Sequence, residues 1–99
     1  MGIKLNPQEL ELYRAIDEVL HYIWDPIGVS SYPQARDEYQ GYVPGVYKLV
    51  MSGSDEQKIA EHLGEIITVR MELSEDQEHN LHVAQVIIDW KNLIDERLS

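Results

Sequence analysis

The stretch WDPIGV at residues 24–29 most constrains the fold, because it forces the chain to turn after its first quarter. Pro26 disfavours a helical conformation at Asp25, so a helix arriving from the N-terminal side should end there. Gly28 can adopt positive φ at no steric cost, which permits a sharp change of direction. Ile27 and Val29 are apolar enough to tuck beneath the neighbouring helices. The stretch, called the corner below, is therefore predicted to be a buried turn that follows a helix.

Two helices are predicted around the corner. Asn6-Pro7-Gln8-Glu9 is a capping sequence, and the apolar residues after it recur at three- and four-residue steps, so an amphipathic helix of about 18 residues should lead to the corner. A short second helix should open near Pro33. Gly41 and Pro44 interrupt it, which predicts a break or a kink around residues 40–43, with a further helical piece at residues 46–51.

Two longer helices are predicted in the second half of the chain. Ser54 begins one capping sequence, and its helix should run to about Leu73. Ser74 begins another, and the final helix should run from about Glu75 to Arg97. Apolar residues cover roughly two-thirds of the circumference of this last helix, which indicates that it is central in a bundle or partly covered by another chain.

The fold class follows from this pattern. No stretch alternates apolar and polar residues over the length of a strand, and 99 residues suit one domain. We predict an all-α, compact bundle of about four helices over residues 1–99, with the second helix short and broken or kinked.

The charge narrows the choice of partner. Eighteen acidic side chains stand against eight basic ones, for a net charge of −10, and such a field repels nucleic acids and anionic lipids. The same charge can serve solubility alone, or it can bring the protein onto a basic partner protein. The chain has no cysteine, no signal-like apolar run at its start and no apolar segment of membrane-spanning length. We therefore expect a cytoplasmic protein that binds neither nucleic acid nor membrane.

Motifs for catalysis or metal binding are missing from the sequence. Glu18 and His21 form one Glu-x-x-His pair, but a di-iron bundle needs a second such pair and two more glutamates. His79 and His82 lie in the polar first turns of the last helix, where surface histidines are ordinary. Neither a nucleophilic serine motif nor a glycine-rich phosphate loop occurs. We predict no enzyme activity, no metal and no cofactor.

Arg70 and the tyrosines are the unusual residues. On a helical wheel Arg70 falls on the apolar side, so its guanidinium should meet a carboxylate, with Asp25, Asp37 and Glu38 as candidates, or reach water past Met71. Four tyrosines crowd the irregular middle segment, where they can form local core or a binding surface. The outward stripe of the third helix is acidic; its carboxylates are Glu61, Glu65 and Glu72.

Four motifs in this order resemble the YugE-like family of small all-helical bacterial proteins. They are WDPIGV at residues 24–29, Asp37-Glu38-Tyr39, Tyr42-Val43-Pro44 and Arg70-Met71. The likeness covers about residues 15–95. The resemblance implies a compact helical bundle in which the corner is a shared feature, and it implies no catalytic residues. Proteins that look like this are suspected to be immunity partners of secreted toxins.

Three hypotheses for function follow. The leading one is a non-enzymatic interaction module, of the immunity or inhibitor type, that binds a basic protein. The second is a small-ligand or enzyme-accessory protein whose site lies under the corner and uses Asp25, Arg70 and the tyrosines. The third is a homo-oligomer that associates through its last helix. The candidate structural or interaction residues are Trp24, Asp25, Pro26, Gly28, Asp37, Glu38, Tyr39, Tyr42, Glu61, Glu65, Arg70 and Glu72.

Overall fold

The chain folds into four α-helices, and the computed structural model describes residues 4–98, in which no strand occurs. The helices are α1 (Pro7–Val19), α2 (Val43–Met51), α3 (Glu56–Glu65) and α4 (Gln77–Leu98). α2 and α4 each pack against both α1 and α3, so α1 and α3 lie diagonally across the bundle. The predicted all-α bundle of about four helices is confirmed.

The core lies where the helical spacing places it. Aliphatic residues three and four apart on each helix face inward, and the indole of Trp24 and the ring of Tyr39 close one end. The least exposed members include Ile16, Leu20, Val46, Ile59, Leu63, Val83, Ala84 and Ile87.

Each of the three long helices begins at a side-chain cap. Asn6 accepts a hydrogen bond from the Glu9 backbone at 2.8 Å, and Glu9 accepts one from the Asn6 backbone, which confirms the predicted capping box. Asp55 caps α3, and Asp76 caps α4. Both caps lie one or two residues after the predicted serine. A carboxylate at this position also interacts favourably with the positive end of the helix dipole. Because the cap of α4 is Asp76, this helix begins at Gln77, two residues after the predicted start.

The second helix is bent earlier than the sequence indicated. Short 3₁₀ turns at Pro33–Ala35 and Gln40–Tyr42 flank a turn at residues 36–39, and regular α-helix starts only at Val43. Pro44 therefore lies in the first turn of α2, where its missing N–H has no intrahelical partner to lose.

α1 and α3 each continue into a π-helical segment, Leu20–Trp24 and Ile66–Arg70. The second segment ends when the Met71 N–H bonds to the Ile66 carbonyl, and Glu72 then adopts a left-handed conformation with φ 54°. The third helix thus stops before Leu73. Glu72 is exposed, but it does not belong to the helical stripe predicted for it.

At least three apolar side chains of α4 reach the surface. Leu81, Trp90 and Leu93 are all partly exposed, so the broad apolar pattern of this helix is only partly explained by the core. No helix among the described residues is long and apolar enough to cross a membrane.

Candidate functional site

The corner is organised by the carboxylate of Asp25. The chain leaves the π-helical end of α1 with Asp25 in a left-handed conformation, φ 32°. Its Oδ1 accepts hydrogen bonds from the backbone N–H groups of Gly28 (3.0 Å) and Val29 (2.8 Å), and its Oδ2 accepts one from Ser30 (3.0 Å). Gly28 has φ 81°, which confirms the positive φ predicted there. One side chain thereby satisfies three backbone donors of the turn.

Tyr39 completes this cluster from the next segment of the chain. Its ring is buried, and its hydroxyl donates to Asp25 Oδ1 at 2.7 Å and accepts from the Ile27 N–H at 3.0 Å. Burial, together with the bond to Asp25, raises the pKa of Tyr39 well above its usual range. Burial also acts to raise the pKa of Asp25, but the hydrogen bonds from Tyr39 and the backbone outweigh it and lower that pKa. Both Asp25 oxygens are therefore occupied by the turn itself.

The corner is less buried than the sequence indicated. Trp24 is buried, but Ile27 is 46% exposed and Gly28 is exposed, while Pro26 is only half-buried. The backbone N–H groups of the turn, and not its aliphatic side chains, point toward Asp25. The prediction of a turn is right. The prediction that Ile27 and Val29 tuck under the helices is wrong for Ile27, whereas Val29 is half-buried and packs against the core.

Of the two alternatives for Arg70, the ion pair is wrong, and exposure of the side chain to water agrees with the structure. Arg70 is exposed and makes no ion pair with any residue in the described range. π-Helical winding places one more residue in each turn, so a wheel drawn at α-helical spacing misassigns positions after Ile66. The arginine that ties the middle segment to α1 is Arg36, whose guanidinium contacts both carboxylate oxygens of Asp17 at 3.1 and 3.2 Å.

The other candidates from the middle segment divide between core and surface. Tyr39 and the half-buried Tyr42 make edge contacts with the Trp24 ring, at centroid distances of 5.4 and 6.1 Å. Asp37 and Glu38 are exposed in the turn. The tyrosines next to Trp24 are thus mainly local core.

A chain of hydrogen bonds leads from the corner to the start of α4. The Trp24 Nε1–H donates to Asn80 Oδ1 at 3.1 Å, and Asn80 Nδ2 donates to Glu75 Oε2 at 3.2 Å. Asn80 is 1% exposed, so both ends of its amide need these partners. The Glu75 carboxylate in turn lies directly against Gly64 of α3, where any Cβ would collide with it. We call these three linked side chains the Trp24–Asn80–Glu75 relay.

The sequence analysis missed Asn80. The sequence did contain a signal for it. Asn80 lies three residues before Val83 and four before Ala84, which places its amide on the same buried face of the last helix. A polar side chain at such a position needs a buried partner.

The relay ends in a groove between α3 and the start of α4. The groove has a volume of about 380 Å³, and we call it the acidic groove; it is lined by Gln57, Ala60, Glu61, Glu75, Gln77, Glu78, Asn80 and Leu81. Three of these residues are glutamates, and none of the described lining residues is basic. Ala60 and the partly exposed Leu81 supply apolar surface. The groove can therefore accept a cationic side chain together with its aliphatic stem.

A second cleft lies beside α2. It is lined by Glu38, Gly41, Tyr42, Gly45, His62, Ile66 and Arg70. Asp25 lines a different cavity, between the corner and α4, together with His79 and Asn80. The site predicted under the corner, which combined Asp25 with Arg70, is therefore divided between two separate cavities. Among residues 4–98, no three histidine or carboxylate side chains are grouped so that they could hold a metal ion.

Glu61 is the one predicted acidic residue that lines the acidic groove. Glu65 and Glu72 are exposed outside it. Comparison with known proteins adds no relative, since no family model, no curated protein and no solved structure matches this chain. The resemblance to the YugE-like family thus stays a prediction from its four motifs.

Proposed function

We propose that this protein is a non-enzymatic interaction module whose acidic groove binds a basic segment of a partner protein. The observation that carries the proposal is the lining of the groove, in which Glu61, Glu75 and Glu78 surround apolar surface and no described cationic side chain takes part. None of the three forms an ion pair with a described residue, although Glu61 and Glu75 accept hydrogen bonds from Gln57 and Asn80.

The chemistry of the groove fits a lysine or an arginine. The long aliphatic stem of either residue can lie on Ala60 and Leu81 while its cationic head meets the glutamates. Glu75 is the best-placed of these acceptors, because the buried amide of Asn80 orients its carboxylate beside Gly64. A carboxylate held in place loses less conformational freedom when it binds.

The charge around the groove supports the same partner. From Asp55 to Glu78 the chain has eight carboxylates and two basic residues, which is a local charge of −6. A field of one sign steers an oppositely charged partner and raises its association rate. An acidic inhibitor of a basic enzyme, including an immunity protein for a secreted toxin, would use its charge in this way.

The test compares two double variants with the same change in net charge. Glu61→Gln/Glu78→Gln alters the groove, and Glu65→Gln/Glu72→Gln alters exposed glutamates outside it. The bound protein is recovered from the source cell at low salt, purified, and its association is measured by surface plasmon resonance. We expect the groove variant to bind at least about tenfold more weakly, which is about 1.4 kcal/mol, and the control variant to retain its affinity. Binding of the unaltered protein should weaken as ionic strength rises.

Two results would contradict the proposal. Equal losses in both double variants would mean that only net charge matters and that the groove is not the site. A partner whose binding does not respond to salt would exclude the electrostatic basis.

A second candidate function is the binding of a small anionic ligand in the cleft beside α2. One observation favours it: Arg70 forms no ion pair with a described residue and lines this cleft with His62 and Tyr42, opposite a single carboxylate, that of Glu38. Titration with inorganic phosphate and with acetate, followed by NMR, tests it. Arg70→Gln should abolish the shifts, while Lys48→Gln, which removes an exposed cation from α2, should leave them.

A further inference from the structure

Four exposed side chains recur every fourth residue along the outer face of α1 and its π-helical extension. They are Leu10, Arg14, Glu18 and Tyr22, and we call them the α1 stripe. Its two ends are apolar and well exposed, at 36% for Leu10 and 57% for Tyr22. Beside the stripe, α1 and α4 enclose a groove of about 430 Å³, which Arg14, Glu18 and Tyr22 line together with Trp90.

The stripe is self-complementary when it is read in the opposite direction. Its order is apolar, cationic, anionic, apolar. An antiparallel copy centred midway between Arg14 and Glu18 therefore brings Arg14 of each copy next to Glu18 of the other. The same arrangement brings Leu10 of each copy next to Tyr22 of the other. Two ion pairs and two apolar contacts form from one stripe, as a two-fold symmetric interface requires.

Within one chain these charges are unused. Arg14 and Glu18 form no ion pair with each other or with another described residue, although Arg36, Lys91 and Arg97 are all paired. Arginine four residues before glutamate is also the less favourable order on a helix. The two charges thus remain available on the same surface as exposed aromatic and aliphatic groups.

We propose that a second copy of this chain docks on the α1 stripe to form a two-fold symmetric dimer. Helices that pack through rows of residues four apart cross at about 50°, so the two α1 helices meet obliquely near Arg14 and Glu18. Each Trp90 then covers one flank of the contact. An ordinary interface buries about 800 Å² per partner, roughly one-eighth of the 6418 Å² of this chain, which requires the stripe and the walls of the groove together.

This interface differs from one built on the last helix alone. Its centre lies on α1, and α4 contributes only its edge. It also leaves the acidic groove free, because α3 lies diagonally across the bundle from α1. The dimer is therefore independent of the function proposed above.

The experiment reverses each charge separately and then mixes the variants. Arg14→Glu places only anions at the centre of the interface, and Glu18→Arg places only cations there. Each variant should dimerise at least about tenfold more weakly than the unaltered chain in sedimentation equilibrium, because two ion pairs become repulsive contacts. An equimolar mixture should regain the dimer, since an Arg14→Glu chain and a Glu18→Arg chain complement each other at both positions.

Lys48→Glu is the matched control for Arg14→Glu. It makes the same change in net charge at an exposed site on α2, outside the stripe, and should dimerise like the unaltered chain. Circular dichroism of every variant checks that the helices are intact.

Three outcomes would overturn the proposal. The unaltered chain could remain monomeric up to millimolar concentration, the single variants could still dimerise, or their mixture could stay monomeric while both are folded. Binding of a basic partner by the Arg14→Glu variant is a separate readout, which concerns the acidic groove alone.

Discussion

Asp25 does for the corner what a capping residue does for a helix. Its two oxygens accept three backbone N–H groups and one hydroxyl, so the donors of the turn are satisfied without help from another helix. This local set of bonds explains how a non-glycine residue holds φ 32°. The residue was recognisable in the sequence because it precedes a proline, but its bond with Tyr39 joins residues fourteen apart and requires the fold.

The lowered pKa of Asp25 leads to a prediction for acid stability. A carboxyl whose folded pKa lies below its usual value of 3.8 stabilises the fold above that value and loses this contribution as the pH falls through the folded pKa. We expect Asp25→Asn to lower the free energy of unfolding most at pH 7, and the difference from the unaltered chain to shrink below pH 3.8. Urea unfolding of both chains between pH 7 and pH 3 measures it.

Asp37→Asn is the control, because Asp37 is an exposed aspartate in the next turn. It should have a small effect at every pH. A difference between Asp25→Asn and the unaltered chain that stays constant down to pH 3 would contradict the assigned role of the carboxylate.

The two glycines of the irregular segment allow a matched test of backbone strain. Gly28 has φ 81° and no atom within 4 Å of the position that an added methyl group would take, whereas Gly41 has equal space and no positive φ. Gly28→Ala should therefore cost about 1–2 kcal/mol of stability through backbone strain alone. Gly41→Ala should cost clearly less. If both variants lose the same stability in chemical unfolding, the left-handed conformation is not the reason for glycine at position 28.

At the scale of helices, the sequence predicted which helices exist better than it predicted where each one ends. The starts of α1 and α3 follow from capping side chains that are close in sequence. The apolar spacing of an α-helix then holds as far as Val19 in α1 and Glu65 in α3. Beyond those residues both helices widen into π-helical turns, which tertiary packing selects and which no local pattern marks. The misplacement of Arg70 and Glu72 has this single origin.

The contact between α3 and the relay gives a prediction at this scale. A Cβ on Gly64 would displace the Glu75 carboxylate, which ends a flexible side chain and can move aside. Gly64→Ala should leave stability within about 1 kcal/mol, because the gain in helix propensity offsets one lost hydrogen bond. Its effect should instead appear in NMR spectra, as shifted signals of the Asn80 side-chain amide and the Trp24 indole N–H.

Ser52→Ala is the control here, because Ser52 is exposed at the end of α2 and contacts no side chain of the relay. Its spectrum should keep the Asn80 and Trp24 signals in place. Unshifted signals in Gly64→Ala would mean that Glu75 does not depend on Gly64 for its position.

At the scale of the whole molecule, the surfaces were harder to foresee than the core. The core follows from periodicity, but the acidic groove joins Ala60 and Glu61 of α3 to Glu78 and Leu81 of α4. Only the packing of these two helices brings the residues together. The sequence showed the excess of acidic residues in this region and could not show that Glu61 lies in a groove while Glu65 lies outside it.

The diagonal placement of α1 and α3 separates the two proposed surfaces. The α1 stripe and the acidic groove share no lining residue, and α4 packs against both of the helices that contribute to them. A dimer through the stripe would consequently present two acidic grooves outward, and a partner with two basic segments could bind both.

The positions of the two tryptophans have an optical consequence. Trp24 is buried with its indole N–H bonded to Asn80, whereas Trp90 is 38% exposed beside the α1 stripe. Indole emission depends on the polarity of its surroundings, so the two side chains fluoresce from contrasting environments. Replacing either one by phenylalanine leaves a single indole emitter, at the relay or at the stripe. The chain thus contains one indole reporter for the buried relay and another for the exposed stripe.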